Sequence, residues 1–146
     1  MQREIINSLA IIIPCFKAGK LINTVVERLK DLGIQNIIVV NDKCPEDSYK
    51  YIKDSSIDIV DLENNHGVGG AFIEGFNFIS NNPRFSNISY IAKIDADDQH
   101  DPEDILLMLD DLIQKDADLI KGNRYLLSRE PVGQSFIRKF GNFGLT

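Results

Sequence analysis

Uninterrupted apolar runs recur along the chain, and they constrain the fold more than any other feature. Residues 9–13 and 37–40 are continuously apolar rather than alternating, which is typical of strands buried on both faces of a parallel sheet. Between them, an apolar stripe over residues 20–32 predicts an amphipathic helix that ends at Gly33. Two parallel strands need such a crossover connection, so this stretch predicts a β–α–β unit.

The same alternation continues to residue 121. Further strands are predicted at 57–62, 91–94 and 117–121, with helices in the intervening segments, including a short one at 46–53. Five β–α alternations predict an α/β fold with a mostly parallel, doubly wound sheet and helices on both faces. Such a sheet binds ligands at the carboxyl ends of its strands. With 146 residues, the chain suits one domain, 1–146.

Acidic side chains are concentrated directly after the fourth predicted strand. Asp101 suits the N-cap of the following helix, and Pro102 suits its first position. Glu103 and Asp104 complement the positive end of the helix dipole. The local helix therefore explains these three acids.

Asp95, Asp97 and Gln99 are not explained by capping. At alternate positions of an extended segment, their side chains would point the same way. Mg²⁺ or Mn²⁺ takes one or two protein carboxylates and fills its other positions with water and substrate phosphate. We therefore predict a Mg²⁺ or Mn²⁺ site here, and a solvated acidic turn is the alternative.

Other candidate residues also follow predicted strands. Asp42 comes after the second strand, residues 67–70 (Gly-Val-Gly-Gly) after the third, and Arg124 after the fifth. Small residues allow a backbone to approach a ligand closely, and tight packing of a helix on the sheet is the alternative. A dinucleotide fingerprint would follow the first strand, so a Rossmann dehydrogenase is disfavoured.

Charge and cysteine usage narrow the classes of partner. The net charge of −6 argues against nucleic acid, because phosphate-backbone binding needs a basic surface. From Lys121 onward the charge is +4, which is either ordinary solubilising charge or a clamp for phosphates or an anionic membrane surface. Cys15 and Cys44 have no metal-type spacing and predict reduced thiols in the cytoplasm, with a disulfide between strand ends as the alternative.

The last segment has an apolar pattern at helical intervals that stops without a cap. Residues 133–146 therefore predict the start of a truncated helix, and we expect the chain to be part of a longer protein. The apolar runs within these 146 residues are too short to span a membrane.

Five segments in order resemble the nucleotide-binding half of a family 2 glycosyltransferase of the GT-A fold. They are Ile-Ile-Ile-Pro-Cys-Phe (11–16), Val-Val-Asn-Asp (39–42), Asn-His-Gly-Val-Gly-Gly-Ala (65–71) with Gly75, Asp-Ala-Asp-Asp-Gln-His (95–100) and Gly-Asn-Arg-Tyr (122–125). The third and fourth segments are most similar to the dolichol-phosphate-mannose-synthase-like branch, which passes a sugar to a polyprenyl phosphate.

This resemblance implies an inverting, metal-dependent enzyme. It would move a sugar from a UDP- or GDP-sugar to a polyprenyl phosphate or glycan, in glycan or cell-envelope polysaccharide biosynthesis. The full-length protein would work at the cytoplasmic face of a membrane. The implied nucleotide-binding residues are Pro14, Phe16, Asp42, Gly67, Gly69, Asp95, Ala96 and Arg124, and the implied metal ligands are Asp95, Asp97 and Gln99. The catalytic base and acceptor half would follow Thr146.

The chain also departs from the family pattern. Asn41 replaces the first Asp of the usual pair, residues 43–45 (Lys-Cys-Pro) replace Gly-Ser-Thr, and residues 16–18 (Phe-Lys-Ala) replace Tyr-Asn-Glu.

Two other functions are alternatives. One is a nucleotide-sugar-binding domain without turnover, and the other is a receiver-type signalling domain. The second is disfavoured because Pro14-Cys15-Phe16 stands where a receiver needs an acidic pair.

Overall fold

The computed structural model describes residues 2–122, in which four parallel strands form one sheet. The strands are β1 (Leu9–Cys15), β2 (Asn36–Asn41), β3 (Asp58–Asp61) and β4 (Tyr90–Lys93). Their order across the sheet is β3-β2-β1-β4, and each neighbouring pair is parallel. The prediction of a parallel α/β sheet is confirmed.

The described residues also contain four α-helices and two short 3₁₀ segments. They are α1 (Gln2–Asn7), α2 (Leu21–Asp31), α3 (Gly67–Asn81) and α4 (Glu103–Gln114), with 3₁₀ turns at Ser48–Tyr51 and Pro83–Phe85. The short helix predicted at 46–53 is thus a single 3₁₀ turn. No helix among residues 2–122 combines the length and apolar character needed to cross a membrane.

The core lies on both faces of the sheet. On one face, Ala10 and Ile12 of β1 pack with Ala71 and Ile79 of α3. The alternate residues of β1 and β2 are also almost fully buried, and strand geometry directs them to the opposite face. Helix α2 buries Ile22, Asn23, Val25, Val26 and Leu29. The general right-handedness of β–α–β crossovers directs α2 and α3 to opposite faces of this sheet, as expected for a doubly wound fold.

The strand order reverses beside β1. The chain proceeds from β1 to β2 and β3 on one side, and then crosses back through α3 to β4 on the other side. In open parallel sheets, a crevice forms between the carboxyl ends of the two strands where the order reverses. The fold therefore places a crevice between the ends of β1 and β4.

The prediction of a fifth strand at 117–121 is wrong. Helix α4 ends with Asp116 in the left-handed conformation (φ 49°), and the Ala117 N–H donates to the Leu112 carbonyl at 3.0 Å. The Asp116 N–H also donates to the Ile113 carbonyl. This is the Schellman closure of a helix. It uses the first backbone donor of the expected strand, and Leu119 is 84% exposed.

Contacts divide the chain into two compact units, and the first, Met1–Leu107, contains the whole sheet. The second begins at Met108, within α4. A single domain over 1–146 stays a prediction. Arg124 and the predicted helix start at 133–146 lie outside the described residues.

Gly75 sets how closely α3 approaches the sheet. A Cβ at this position would lie 2.7 Å from Ile12 Cγ2 and 3.0 Å from Val40 Cγ2. Both neighbours are fully buried strand residues and have little room to move. The glycine therefore has a packing role in the middle of the helix.

We expect Gly75→Ala to lower the free energy of unfolding by about 1–3 kcal/mol through overpacking. Gly69→Ala is the matched control in the same helix, because a Cβ there has no neighbour within 4 Å. It should stabilise the protein by about 0.5–1 kcal/mol through helix propensity. Urea unfolding of both variants measures the difference, and equal effects would contradict the packing role of Gly75.

Candidate functional site

An open cleft of about 200 Å³ lies at the carboxyl ends of β1, β2 and β4. Its lining residues come from the end of β1, from the loops that follow the three strands and from the first turn of α3. They are Pro14, Cys15, Phe16, Lys17, Ala18, Asp42, Val68, Asp95, Ala96 and Asp97. The fold thus brings together Asp42 and the Asp95–Asp97 pair, which are more than 50 residues apart in the sequence.

Most of the residues implied by the resemblance lie at this cleft. Six of them line it: Pro14, Phe16, Asp42, Asp95, Ala96 and Asp97. Gly67 and Gly69 flank the lining residue Val68 at the start of α3. The exposed Gln99 is not among the lining residues, and Arg124 lies outside the described part of the chain. What these residues bind stays a prediction.

The acidic loop is a turn and not an extended segment. Residues 96–97 form the turn, and Asp98 has a left-handed backbone with φ 56°. The expectation that Asp95, Asp97 and Gln99 align by strand alternation is therefore wrong. The turn brings Asp95 and Asp97 to one cleft by a different route, while the Asp97 carboxylate accepts the Gln99 N–H at 3.2 Å.

Asp95 already has basic side chains beside it within the protein. The Lys93 ammonium donates to Asp95 Oδ1 at 2.5 Å, and His100 Nδ1 lies 3.7 Å from Asp95 Oδ2. The Lys93 ammonium therefore occupies one of the positions at which the Asp95 carboxylate would bind another cation. The Lys93 ammonium partly offsets the negative charge of Asp95.

The donor set at the cleft is suited to a hard divalent cation. No group of three or more His, Cys, Asp or Glu side chains in residues 2–122 is arranged to hold a metal ion. Two carboxylates, Asp95 and Asp97, do line the same open cleft. Mg²⁺ commonly has only one or two protein carboxylates, with water and phosphate oxygens completing its octahedron. The residues present therefore fit Mg²⁺ or Mn²⁺ bound together with a phosphorylated ligand.

Arg28, which sequence reasoning missed, holds the other acids of this region. Its Nη1 donates to Asp98 Oδ1 at 2.7 Å and its Nη2 to Asp101 Oδ1 at 2.9 Å. The hydrogen bond to Asp98 raises the pKa of the Arg28 guanidinium above its ordinary value, so the group stays charged. The partners are separated by 70 and 73 residues, and no local pattern could have linked them.

The predicted role of Asp101 as a helix cap is supported. Its side chain accepts the Glu103 N–H at 3.1 Å, and its carbonyl accepts the Asp104 N–H. Pro102 lies in the turn directly before α4, one residue ahead of the first helical position predicted for it. The division of the acids between capping and cleft-lining positions therefore agrees with the structure.

Asp42 supports the loop that leads into α3. Its Oδ1 accepts the His66 N–H at 2.6 Å, and its carbonyl accepts an N–H of the Asn65 side chain at 3.0 Å. The residue is only 2% exposed. Oδ1 of Asp42 therefore has a structural role, although the residue was predicted to contact a nucleotide.

The glycines in the first turn of α3 differ in their roles. Gly67 has φ 70° and needs the freedom of glycine, and a Cβ on Gly70 would lie 2.5 Å from the Cβ of His66. Gly69 has open space around it. Close packing thus explains Gly70, while Gly69 leaves the first turn of α3 accessible.

Three departures from the family pattern form a connected network. The Asn41 side chain donates to Asp61 Oδ1 at 2.6 Å and accepts the Cys44 N–H at 3.1 Å. Cys44 Sγ accepts the Lys17 N–H at 3.1 Å and lies 3.3 Å from the Ser48 hydroxyl. The loop after β2 therefore positions the loop after β1.

Both cysteines are buried free thiols. Burial raises the pKa of Cys15 from its ordinary 9.0 to about 12, and neighbouring Cys44 adds to the rise. For Cys44, burial also raises the pKa, but hydrogen bonds from Ser48 and from backbone N–H groups outweigh it and lower the pKa overall. The two thiols thus differ in their tendency to ionise.

The first prediction from this site concerns Asn41. Asn41→Asp would place a second carboxylate against Asp61 and remove the donor between them, in a residue that is 3% exposed. We expect the free energy of unfolding to fall by about 1–3 kcal/mol. Adding Asp61→Asn exchanges the donor and acceptor and should restore most of the loss. Urea unfolding of both single variants and the double variant gives the coupling, and additive effects would contradict it.

The second prediction concerns Cys15 and pH. Well below pH 9 the thiol is neutral in both states, whereas between its unfolded pKa of 9.0 and its folded pKa of about 12 mainly the unfolded state ionises. Stability therefore falls as pH rises through this window. Relative to Cys15→Ala, the wild type should lose about 1.4 kcal/mol between pH 8 and pH 10. Urea unfolding under reducing conditions measures it, and parallel pH profiles would refute the assignment.

Comparison with known proteins agrees with the resemblance found in the motifs. Over 153 residues, the chain is 28% identical to the UDP-N-acetylglucosamine–dolichyl-phosphate N-acetylglucosaminyltransferase of Methanococcus voltae, covering 93% of this chain and 59% of that protein. An uncharacterized protein of Methanocaldococcus jannaschii is 26% identical over 140 residues, which cover 95% of this chain and 56% of that protein. The chain thus spans somewhat more than half the length of these relatives. Residues 10–141 match glycosyl transferase family 2, and the chain belongs to that family.

Proposed function

We propose that this chain is the donor-binding part of a metal-dependent glycosyltransferase that transfers a sugar from a nucleoside-diphosphate sugar to a polyprenyl phosphate. One observation carries the proposal. In a family 2 chain, the crevice where the strand order reverses is lined by Asp42, Asp95 and Asp97, together with the exposed ring of Phe16. Ligands of open parallel sheets bind at this location.

The nucleoside would occupy the side of the cleft formed by the loops after β1 and β2. Phe16 is 46% exposed and offers an aromatic face for a base. Asp42 uses Oδ1 for the His66 N–H, so Oδ2 is the oxygen that we assign to a donor N–H or hydroxyl of the nucleoside. Pro14 and Ala96 contribute the wall between these groups.

The diphosphate would lie near Asp95, Asp97 and the first turn of α3. A divalent cation bound there supplies positive charge that stabilises the leaving diphosphate. Asp95 and Asp97 would hold it, and Lys93 would release Asp95, with which it pairs at 2.5 Å. Gln99 is the third proposed ligand, and Gly67 and Gly69 keep the positive end of α3 open to phosphate.

The transfer is proposed to invert the configuration at the anomeric carbon of the sugar. An acceptor oxygen forms a bond to that carbon while the bond to the diphosphate oxygen breaks, and the nucleoside diphosphate leaves. A UDP-sugar is favoured over a GDP-sugar, because the named relative from Methanococcus voltae uses UDP-N-acetylglucosamine and dolichyl phosphate. We assign the acceptor to polyprenyl phosphates, at the cytoplasmic face of a membrane, in glycan or cell-envelope polysaccharide synthesis. Arg124 is proposed to support the phosphates.

Nucleotide-sugar binding without turnover is the second candidate. It is favoured because every role proposed here for a cleft residue serves the donor, and because the chain spans 56–59% of the relatives' length. Holding both reactants in line can account for about 7–11 kcal/mol of barrier lowering, and this requires an acceptor site. Residues 1–146 alone are therefore expected to bind donor and to transfer little sugar.

The proposal predicts metal-dependent nucleotide binding. UDP at about one hundred times its Kd should stabilise the protein by about 2.7 kcal/mol with Mn²⁺, and much less with EDTA, because the carboxylates alone repel a diphosphate. Asp97→Asn should remove this Mn²⁺-dependent rise in melting temperature. Asp104→Asn is the control, since it removes the same charge from a residue outside the cleft lining.

Thermal unfolding with UDP, GDP and their sugars measures these effects. Equal stabilisation with Mn²⁺ and EDTA would refute the metal role, and equal behaviour of the two variants would refute the assignment of Asp97. Incubation with radiolabelled UDP-N-acetylglucosamine, Mn²⁺ and polyprenyl phosphate, followed by lipid extraction, separates the candidates. Full lipid labelling by residues 1–146 would refute the second candidate, binding without turnover.

A further inference from the structure

Arg28 joins helix α2 to the acidic turn through a forked pair of hydrogen bonds. Its two terminal nitrogens reach different carboxylates, Asp98 at 2.7 Å and Asp101 at 2.9 Å. The Arg28 and Asp98 side chains are 39% and 27% exposed, so this contact is only partly open to solvent. A planar guanidinium can make both bonds at once, whereas an ammonium is a single point charge.

The acidic turn needs such a partner for two physical reasons. Asp98 is a non-glycine residue in the left-handed region, with φ 56°, a conformation that costs free energy. In addition, Asp95, Asp97, Asp98 and Asp101 are four carboxylates within seven residues, and their mutual repulsion favours a more open loop. Arg28 offsets both effects at the two acids that do not line the cleft.

We propose that Arg28 is a positioning residue for the donor cleft. By holding Asp98 and Asp101 against α2, it fixes the turn between them and β4 in the conformation that presents Asp95 and Asp97 to the cleft. Arg28 itself does not line the cleft, so it acts through the loop and not by contact with the ligand. As far as this inference concerns cation binding, it rests on the proposed function.

The direction in which Mn²⁺ affinity changes when Arg28 is removed distinguishes a positioning role from a purely electrostatic one. Arg28 is a positive charge beside the acidic turn, and a charge acting only at a distance repels a divalent cation. Removing it would then tighten Mn²⁺ binding. If Arg28 holds the loop, removing it lets the loop adopt conformations that do not bind Mn²⁺. The apparent Mn²⁺ affinity then falls in proportion to the remaining population of the binding conformation.

The experiment compares three variants of the 146-residue chain. Arg28→Ala removes the fork, and Arg28→Lys keeps the charge but cannot reproduce the fork. Lys30→Ala is the matched control on the same helix, because Lys30 pairs with Asp54 at 3.2 Å, away from the acidic turn. Mn²⁺ binding is measured by electron paramagnetic resonance of the free ion, with melting temperature measured in parallel.

We expect Arg28→Ala to weaken Mn²⁺ binding about fivefold, which corresponds to about 1 kcal/mol. Arg28→Lys should fall between this variant and the wild type. Lys30→Ala should lower the melting temperature by a similar amount and leave Mn²⁺ affinity unchanged. Unchanged or tighter Mn²⁺ binding by Arg28→Ala would overturn the proposal.

Hydrogen exchange of the Gln99 and Glu103 amides, which donate to the Asp97 and Asp101 carboxylates, gives a readout that needs no metal. Exchange should be faster in Arg28→Ala than in Lys30→Ala or the wild type. If the wild type bound no Mn²⁺, the metal role in the proposed function would fail, and this exchange measurement would still decide whether Arg28 holds the turn. Equal exchange in the two alanine variants would refute that role.

Discussion

The burial of β1 on every side is the constraint on which the rest of the structure depends. This strand pairs with β2 on one side and β4 on the other, and its side chains from Leu9 to Ile13 are at most 1% exposed. A strand enclosed in this way can present polar groups only at its ends. Because the strand order reverses beside it, its carboxyl end opens into the crevice that collects the candidate residues.

Polar contacts hold the acidic side chains at the rim of this crevice. Each acid there has an identified partner: a backbone N–H for Asp42 and for Asp97, Lys93 for Asp95, and Arg28 for Asp98. These contacts lower the repulsion that a group of acids would otherwise create in a chain of net charge −6.

Sequence reasoning succeeded where the cause of a structure is local. Continuous apolar runs identified the buried strands, and Asp101 with Pro102 identified the start of α4, since capping acts within one turn. It failed where a residue's conformation or partner is decided elsewhere. The left-handed Asp98 changed the geometry of the acidic turn, and the left-handed Asp116 closed α4 where a strand was expected. The Arg28–Asp98 pair spans 70 residues and has no local signature.

The departures from the family pattern are best understood as one structural solution and not as three separate losses. Asp61 at the end of β3 bonds to the Asn41 amide, Asn41 accepts the Cys44 N–H, and Cys44 Sγ accepts the Lys17 N–H. An aspartate at 41 could not donate to Asp61, which explains the amide in this position. Ser48 extends the network, because its hydroxyl accepts the Gly19 N–H at 3.0 Å. The segments that differ from the pattern at 16–18, 41 and 43–45 therefore support one another, and they hold the loop that carries Phe16 at the mouth of the cleft.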